Sequence, residues 1–184
     1  MPLAATKLWT LSELHSLPDD GNKYEVLDGE LFVTPAPSVS HEAILARLTE
    51  LLVPYVSGYR LGHVLRPRAV IRLRGSEVEP GLMVRAVPDE NASWEALPVP
   101  ILVVEVASPS TRRRNREQKR KFYADIGVAE YWIADRERKL ITVVRHGHVD
   151  ADATESVMWA PDGADEPLVV DVPWVLFGAR ARNP

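Results

Sequence analysis

The 184-residue sequence contains no cysteine. That excludes disulfides, thiolate metal centres and cysteine nucleophiles. It also lacks any run of about 18 apolar residues, the minimum for a membrane-spanning helix. The opening Met1 to Lys7 has no long apolar stretch behind a basic start. No secretory signal is read there, and a cytoplasmic protein is expected. Positive charge is not in excess: the formal net charge is −4. No global field advertises nucleic-acid binding, so any such site must be a local patch. Ser108 and Ser110 lack a nucleophile-elbow setting, and no glycine-rich phosphate loop occurs. Repeats and low-complexity segments are absent too. What remains is 46% hydrophobic and 26% charged residues, ordinary for a soluble globular protein. The length suits one domain over residues 1–184.

Local signals order the chain as helix, hairpin, helix, strands, helix, strands. Thr10 to Glu13 is a capping box ahead of a short helix, with Trp9 and Leu14 as its staple. Asp28-Gly29 is a two-residue hairpin turn between Tyr24–Leu27 and Glu30–Thr34. Ser40 is positioned to cap a second helix. Ile44, Leu45, Leu48, Leu51 and Leu52 form its apolar face, and Pro54 and Gly58 bound it. His63 to Leu73 reads as one strand with Pro67 at an edge or bulge. Leu82 to Val87 and Ile101 to Val106 are further strands, the latter apolar enough to be covered on both faces. A helix from Arg116 to Ile126, capped by Asn115 and closed by Gly127, precedes a hairpin of Glu130–Ala134 and Leu140–Arg145. Short strands near Met158 and over Leu168–Val172 end the pattern. The fold class is α/β or α+β, a mixed sheet with helices packed on it.

Two residues break the apolar pattern. Glu105 interrupts the strand Ile101 to Val106 near its C-terminal end, where ligand sites gather in α/β sheets. Lys119 shares a helical face with Phe122, Tyr123 and Ile126, all within about 60° of it. An acid and an ammonium so placed are costly unless they meet a metal, an anion or each other. A structural salt bridge or a snorkelling lysine is the plainer alternative. Arg112, Arg113, Arg114 and Arg116, with Lys119, Arg120 and Lys121, form the strongest local positive charge. Such groups contact phosphates, although a charge run is more often a solvated face. Glu79 would share a face with position 81 in an extended chain, and with Glu105 could offer two carboxylates to Mg²⁺. Surface acids flanking a turn are the plainer reading of Glu77 and Glu79. His41 reads as a core-edge histidine. Glu25, opposite Tyr24 and Val26, reads as exposed.

The segments Tyr24 to Glu30, His41, Glu79-Pro80, Val104 to Thr111, Lys119, Tyr123 and Gly127 to Trp132 resemble, in order and spacing, a nuclease family. It is the family described as "putative restriction endonuclease", a branch of the PD-(D/E)XK superfamily, over roughly residues 8 to 177. The resemblance implies a restriction-endonuclease-like core, with a central mixed sheet flanked by helices. It also implies Mg²⁺- or Mn²⁺-dependent hydrolysis of DNA phosphodiesters. Glu105 would be the second family acid and a metal ligand. Lys119 would be the family lysine, moved onto the following helix, with Ala107 at its usual place. Two positions depart from the pattern. Gly81 stands where the family has aspartate after proline, and Asn115 where it usually has aspartate before the lysine helix. Gly81 removes a ligating carboxylate, so metal binding should be weakened.

Three readings follow. The first is a DNA endonuclease with a degraded metal site built from Glu79, Glu105 and Lys119. The second is a nuclease-fold protein that has lost catalysis and binds nucleic acid or a protein partner. The third is a homo-oligomer, such as a homodimer, with Tyr131 and Trp132 supplying an apolar surface, core packing of those rings being the favoured alternative.

Overall fold

The computed structural model describes residues 7–178. The capping box forms as the spacing predicts: Glu13 N–H donates to Thr10 Oγ1, and Glu13 Oε2 accepts from Thr10 N–H at 2.9 Å. It starts a single turn, α1 (Leu11–Leu14). Strands β1 (Lys23–Leu27) and β2 (Glu30–Thr34) close around Asp28 and Gly29, whose φ values of 50° and 81° are those of a hairpin turn. Helix α2 (Val39–Gly58) is capped by Ser38, not Ser40, and runs through Pro54 instead of ending there. The stretch 63–73 is two strands in different sheets: β3 (His63–Leu65) and β4 (Ile71–Leu73). Then come β5 (Ser76–Val78), β6 (Leu82–Arg85) and β7 (Leu102–Ala107).

After β7 the chain enters α3 (Arg112–Arg114), passes through a π turn (Asn115–Lys119) and continues as α4 (Arg120–Asp125). The helix therefore begins four residues before the expected Arg116. Hydrogen bonds among Ser108, Ser110 and Thr111 organise its entry. Gly127, at φ 88°, closes it as expected. Strands β8 (Glu130–Asp135), β9 (Leu140–Arg145), β10 (Ala151–Ala153), β11 (Ser156–Trp159) and β12 (Leu168–Asp171) follow, then α5 (Val172–Phe177).

A six-stranded mixed sheet, order β10-β9-β8-β7-β6-β3, is the centre; only β7 and β8 run parallel. One face packs on α2, α5 and the β11–β12 ribbon through Leu45, Leu48, Val104, Trp132 and Trp159. The other face, carrying Val103, Tyr131 and Ile133, packs on Phe122 and Tyr123 of α4 and on Leu27, Ile71 and Val78 of a second sheet, β2-β1-β5-β4. Strand side chains alternate, so Glu105 points to this second face with Val103. Tyr131 and Trp132 are buried at 2% and 0% exposure, so their rings are core and not an assembly surface. No helix among the described residues is long and apolar enough to cross a membrane.

Candidate active site

Three buried charged side chains meet where the two sheets and the α3–α4 segment converge. Lys119 Nζ donates to Glu105 Oε1 at 2.6 Å and to Glu25 Oε1 at 2.7 Å. The Tyr123 hydroxyl donates to the same Glu105 oxygen at 3.0 Å. Glu25 Oε1 also accepts the backbone N–H of Glu79 at 2.8 Å. Its other oxygen has Arg114 Nη2 at 3.4 Å and Lys23 Nζ at 3.8 Å but no hydrogen bond. Glu25 and Lys119 are each 1% exposed and Glu105 is 5% exposed.

The local backbone explains the lysine. A π turn holds one more residue than an α turn, and such bulges cluster at functional sites. Here it turns Asn115 and Lys119 inward and leaves Glu117 and Gln118 outward. Electrostatics fix the protonation states. Burial pushes the Glu25 carboxyl up, but Lys119, Lys23 and Arg114 outweigh it and hold it at about 2. Burial pushes the Lys119 ammonium down, and Glu105 and Glu25 outweigh that and raise it. Lys119 is thus a fixed positive donor and not a base.

Glu105 and Lys119 are together, as their positions in the sequence suggest. Glu25 is a correction: read as exposed, it is the third member. Tyr123 is a further member that the sequence reading names without a role. Glu79 goes elsewhere. Continuing the β1–β5 register, in which Val26 faces Glu77, places Glu79 beside Tyr24 on the sheet face away from Glu25. Its half-buried side chain borders a groove there. Asn115 is no helix cap: both its amide atoms are buried without a partner, and Tyr131 donates to its carbonyl at 3.2 Å. At Gly81 a Cβ would lie 3.1 Å from Leu45 Cδ2 and 3.2 Å from the Val104 carbonyl oxygen, on the α2 side. His41 is partly exposed and pairs with Glu42.

The donor set does not fit a divalent metal centre in this arrangement. Among the described residues no three His, Asp or Glu side chains converge as ligands. Glu105 and Glu25 each give an oxygen to the lysine, and no carboxylate stands at position 81.

The basic run does not form one patch. Arg112 is bound to Asp135 at 2.6 Å and Glu137 at 2.7 Å. Arg113 pairs with Glu117 in solvent, and Arg114 turns inward over the Phe32 ring and towards Glu25. Arg116 donates to Thr142, Arg120 grips Asp150, and Lys121 pairs with Asp125. Asp135 is buried at 0% exposure, so Arg112→Ala leaves it short of its main partner. The expected result is a lower urea midpoint for Arg112→Ala and an unchanged one for Arg113→Ala, whose side chain is 87% exposed. Equal midpoints would show that the Arg112 pair is not structural.

Comparison with known proteins gives the chain a fold and a family. The structure resembles that of "a putative nuclease belonging to DUF820" from Anabaena variabilis, with a TM-score of 0.77, 19% identity, and 91% of this chain and 97% of that one covered. An uncharacterized protein of Synechocystis, slr1290, is 29% identical over 132 residues, 71% of this chain and 69% of that protein. A family model described as "putative restriction endonuclease", Uma2, matches residues 11–170, and the chain belongs to that family.

Proposed function

We propose that the chain binds nucleic acid on a nuclease frame whose hydrolytic centre is incomplete. The observation that carries this reading is the environment of Glu105. An ammonium and a phenol hold it, and the one acid facing it, Glu25, is bonded to the same ammonium; position 81 is glycine, and Glu79 borders the groove on the other side of β1. The buried lysine–carboxylate set then holds β1, β7 and the α3–α4 segment together. Membership of a family described as restriction endonucleases supports nucleic acid as the partner.

The test is nicking of supercoiled plasmid with Mg²⁺ or Mn²⁺, wild type against Glu105→Gln, beside a DNA-binding titration at several salt concentrations. The two proteins are expected to cut equally, at background, while wild type binds with an affinity that falls steeply with salt. Metal-dependent cutting that Glu105→Gln abolishes would overturn the proposal.

That outcome would favour a second reading, an endonuclease using a weakly held Mg²⁺ or Mn²⁺ between Glu105 and Glu79. What favours it is that the Glu79 carboxyl lies within electrostatic reach of Glu25 and Lys119. It requires Glu79 to swing from the groove to the other side of β1.

A further inference from the structure

The groove that Glu79 borders has a volume of about 420 Å³, within the range of small-ligand sites. Tyr24 and Trp94 give it aromatic surface, Leu14 and Val70 apolar surface, and Asn22, Arg68 and Glu79 polar groups. Its charges nearly cancel, since Arg68 pairs with Asp19 and Arg72 with Glu77, which leaves Glu79 in excess. A phosphate chain alone gains little from such a surface. A flat ring with a hydrogen-bonding edge gains from both its aromatic and its polar parts.

Two details say which edge. The Glu79 carboxylate takes no hydrogen bond or ion pair from the described residues, although it is half-buried. Burial pushes its carboxyl up, against the opposing pull of Lys23 and Arg68. A carboxylate in that position accepts from an amino group. The aromatic surface is also held in place beforehand. Buried Arg85 clamps the loop bearing Trp94 by donating to the carbonyls of Leu97 at 2.8 Å and Pro98 at 2.9 Å. Arg72 ties the same loop through Glu95 at 2.9 Å. Rigid walls reduce the ordering cost of binding.

We propose that this groove binds a nucleobase carrying an exocyclic amino group, with Tyr24 and Trp94 offering ring contacts and Glu79 accepting from the amino group. The proposal rests on the nucleic-acid reading above. It adds a base site on the outer face of β1, distinct from the Glu25–Glu105–Lys119 cluster.

The base can come from a strand or from a free nucleotide, and calorimetric titration of the full chain separates them. The probes are single-stranded oligo(dA), oligo(dC) and oligo(dT), with AMP, CMP and UMP in parallel. Adenine and cytosine are expected to bind about tenfold more tightly than thymine or uracil, the discrimination one base-edge contact supplies. Trp94→Ala should weaken all ligands about tenfold or more. Glu79→Gln should erase the preference, because its amide also donates to the thymine carbonyl. Both side chains are partly exposed, and the urea midpoint of each variant checks that it folds like wild type.

Preference among oligonucleotides assigns the site to strands. Preference among mononucleotides alone keeps the base site and removes the polymer from the broader reading. Oligonucleotide binding unchanged by both variants overturns the base site while leaving that reading in place. No binding of any probe overturns both.

Discussion

Lys119→Met is expected to destabilise the protein by about 3–5 kcal/mol at pH 7, the usual cost of stripping one partner from a buried ion set. For a chain of this size that lowers the melting temperature on the order of 10 °C. The methionine fills most of the lysine's volume, so the loss is one of charge. Glu25 and Glu105 are left facing each other, at 1% and 5% exposure, without the ammonium that bonds to both. The sign of the pH dependence is the decisive readout. In wild type the Glu25 carboxyl is held at about 2, below its ordinary 4.5. Its contribution is therefore fully present above pH 4.5 and is lost as pH falls towards 2. In Lys119→Met, burial is opposed only by Lys23 and Arg114, and the carboxyl rises. A raised carboxyl stabilises the fold at low pH and costs stability as pH increases. Urea midpoints of the two proteins should therefore converge below pH 4.5 and diverge towards neutrality. Adding Glu105→Gln to Lys119→Met should recover part of the loss, because the two sites are coupled. A gap independent of pH, with no recovery in the double variant, would mean that the lysine acts only by packing.

The same cluster shows which parts of the site can be read from the chain. Glu105 and Lys119 are legible because each violates its own local pattern: an acid in an apolar strand and a lysine in an apolar helical stripe. Glu25 violates nothing locally. It alternates with Tyr24 and Val26 as a solvent-facing residue would. It is buried because the α3–α4 segment, distant in sequence, covers that face of β1. Local alternation misplaces Glu79 for a related reason. It joins Glu79 to position 81 only if the chain stays flat, and the backbone between β5 and β6 leaves one sheet for another.

Capping signals divide the same way. The Thr10 box and the Asp28-Gly29 turn close within a few residues and form as read. Asn115 and Gln118 look like a box too, but a hydroxyl cluster upstream starts the helix and leaves Asn115 inside it. The basic run can be read as charge but not as a surface. Glu117 and Asp125 are local partners four residues along the helix, but Asp135, Glu137, Asp150 and Asp152 come from β8, β10 and the segments next to them, and no local pattern ties those four to the arginines. That redistribution leaves most of the helix's cations paired with acids of the same chain.

Gly81→Asp should do what the wild type does not: nick plasmid DNA with Mg²⁺ or Mn²⁺, on the order of a hundredfold above background, the scale of one preorganised charged group. The structure sets a condition on that gain. A Cβ at position 81 presses on Leu45 Cδ2 at 3.1 Å and on the Val104 carbonyl oxygen at 3.2 Å. The leucine tip can rotate aside, but the carbonyl belongs to β7 and cannot. Overpacking of this kind costs about 1–3 kcal/mol. The new carboxylate also leaves the backbone on the α2 side and must turn to reach Glu105. Gly81→Asp alone is therefore expected to be less stable than wild type and only partly active. Pairing it with Leu45→Val, which shortens the obstructing side chain, should raise the activity further. Adding Glu105→Gln to that pair should return cleavage to background. Manganese titration followed by electron spin resonance gives a readout that does not depend on turnover. Binding is expected in the Gly81→Asp proteins and not in wild type. A folded Gly81→Asp protein that neither binds Mn²⁺ nor cuts would mean that Glu105 and Lys119 are a structural ion set with no hydrolytic centre to restore. Cutting that needs both the Gly81→Asp substitution and an intact Glu105 would place the loss of activity at a single missing carboxylate.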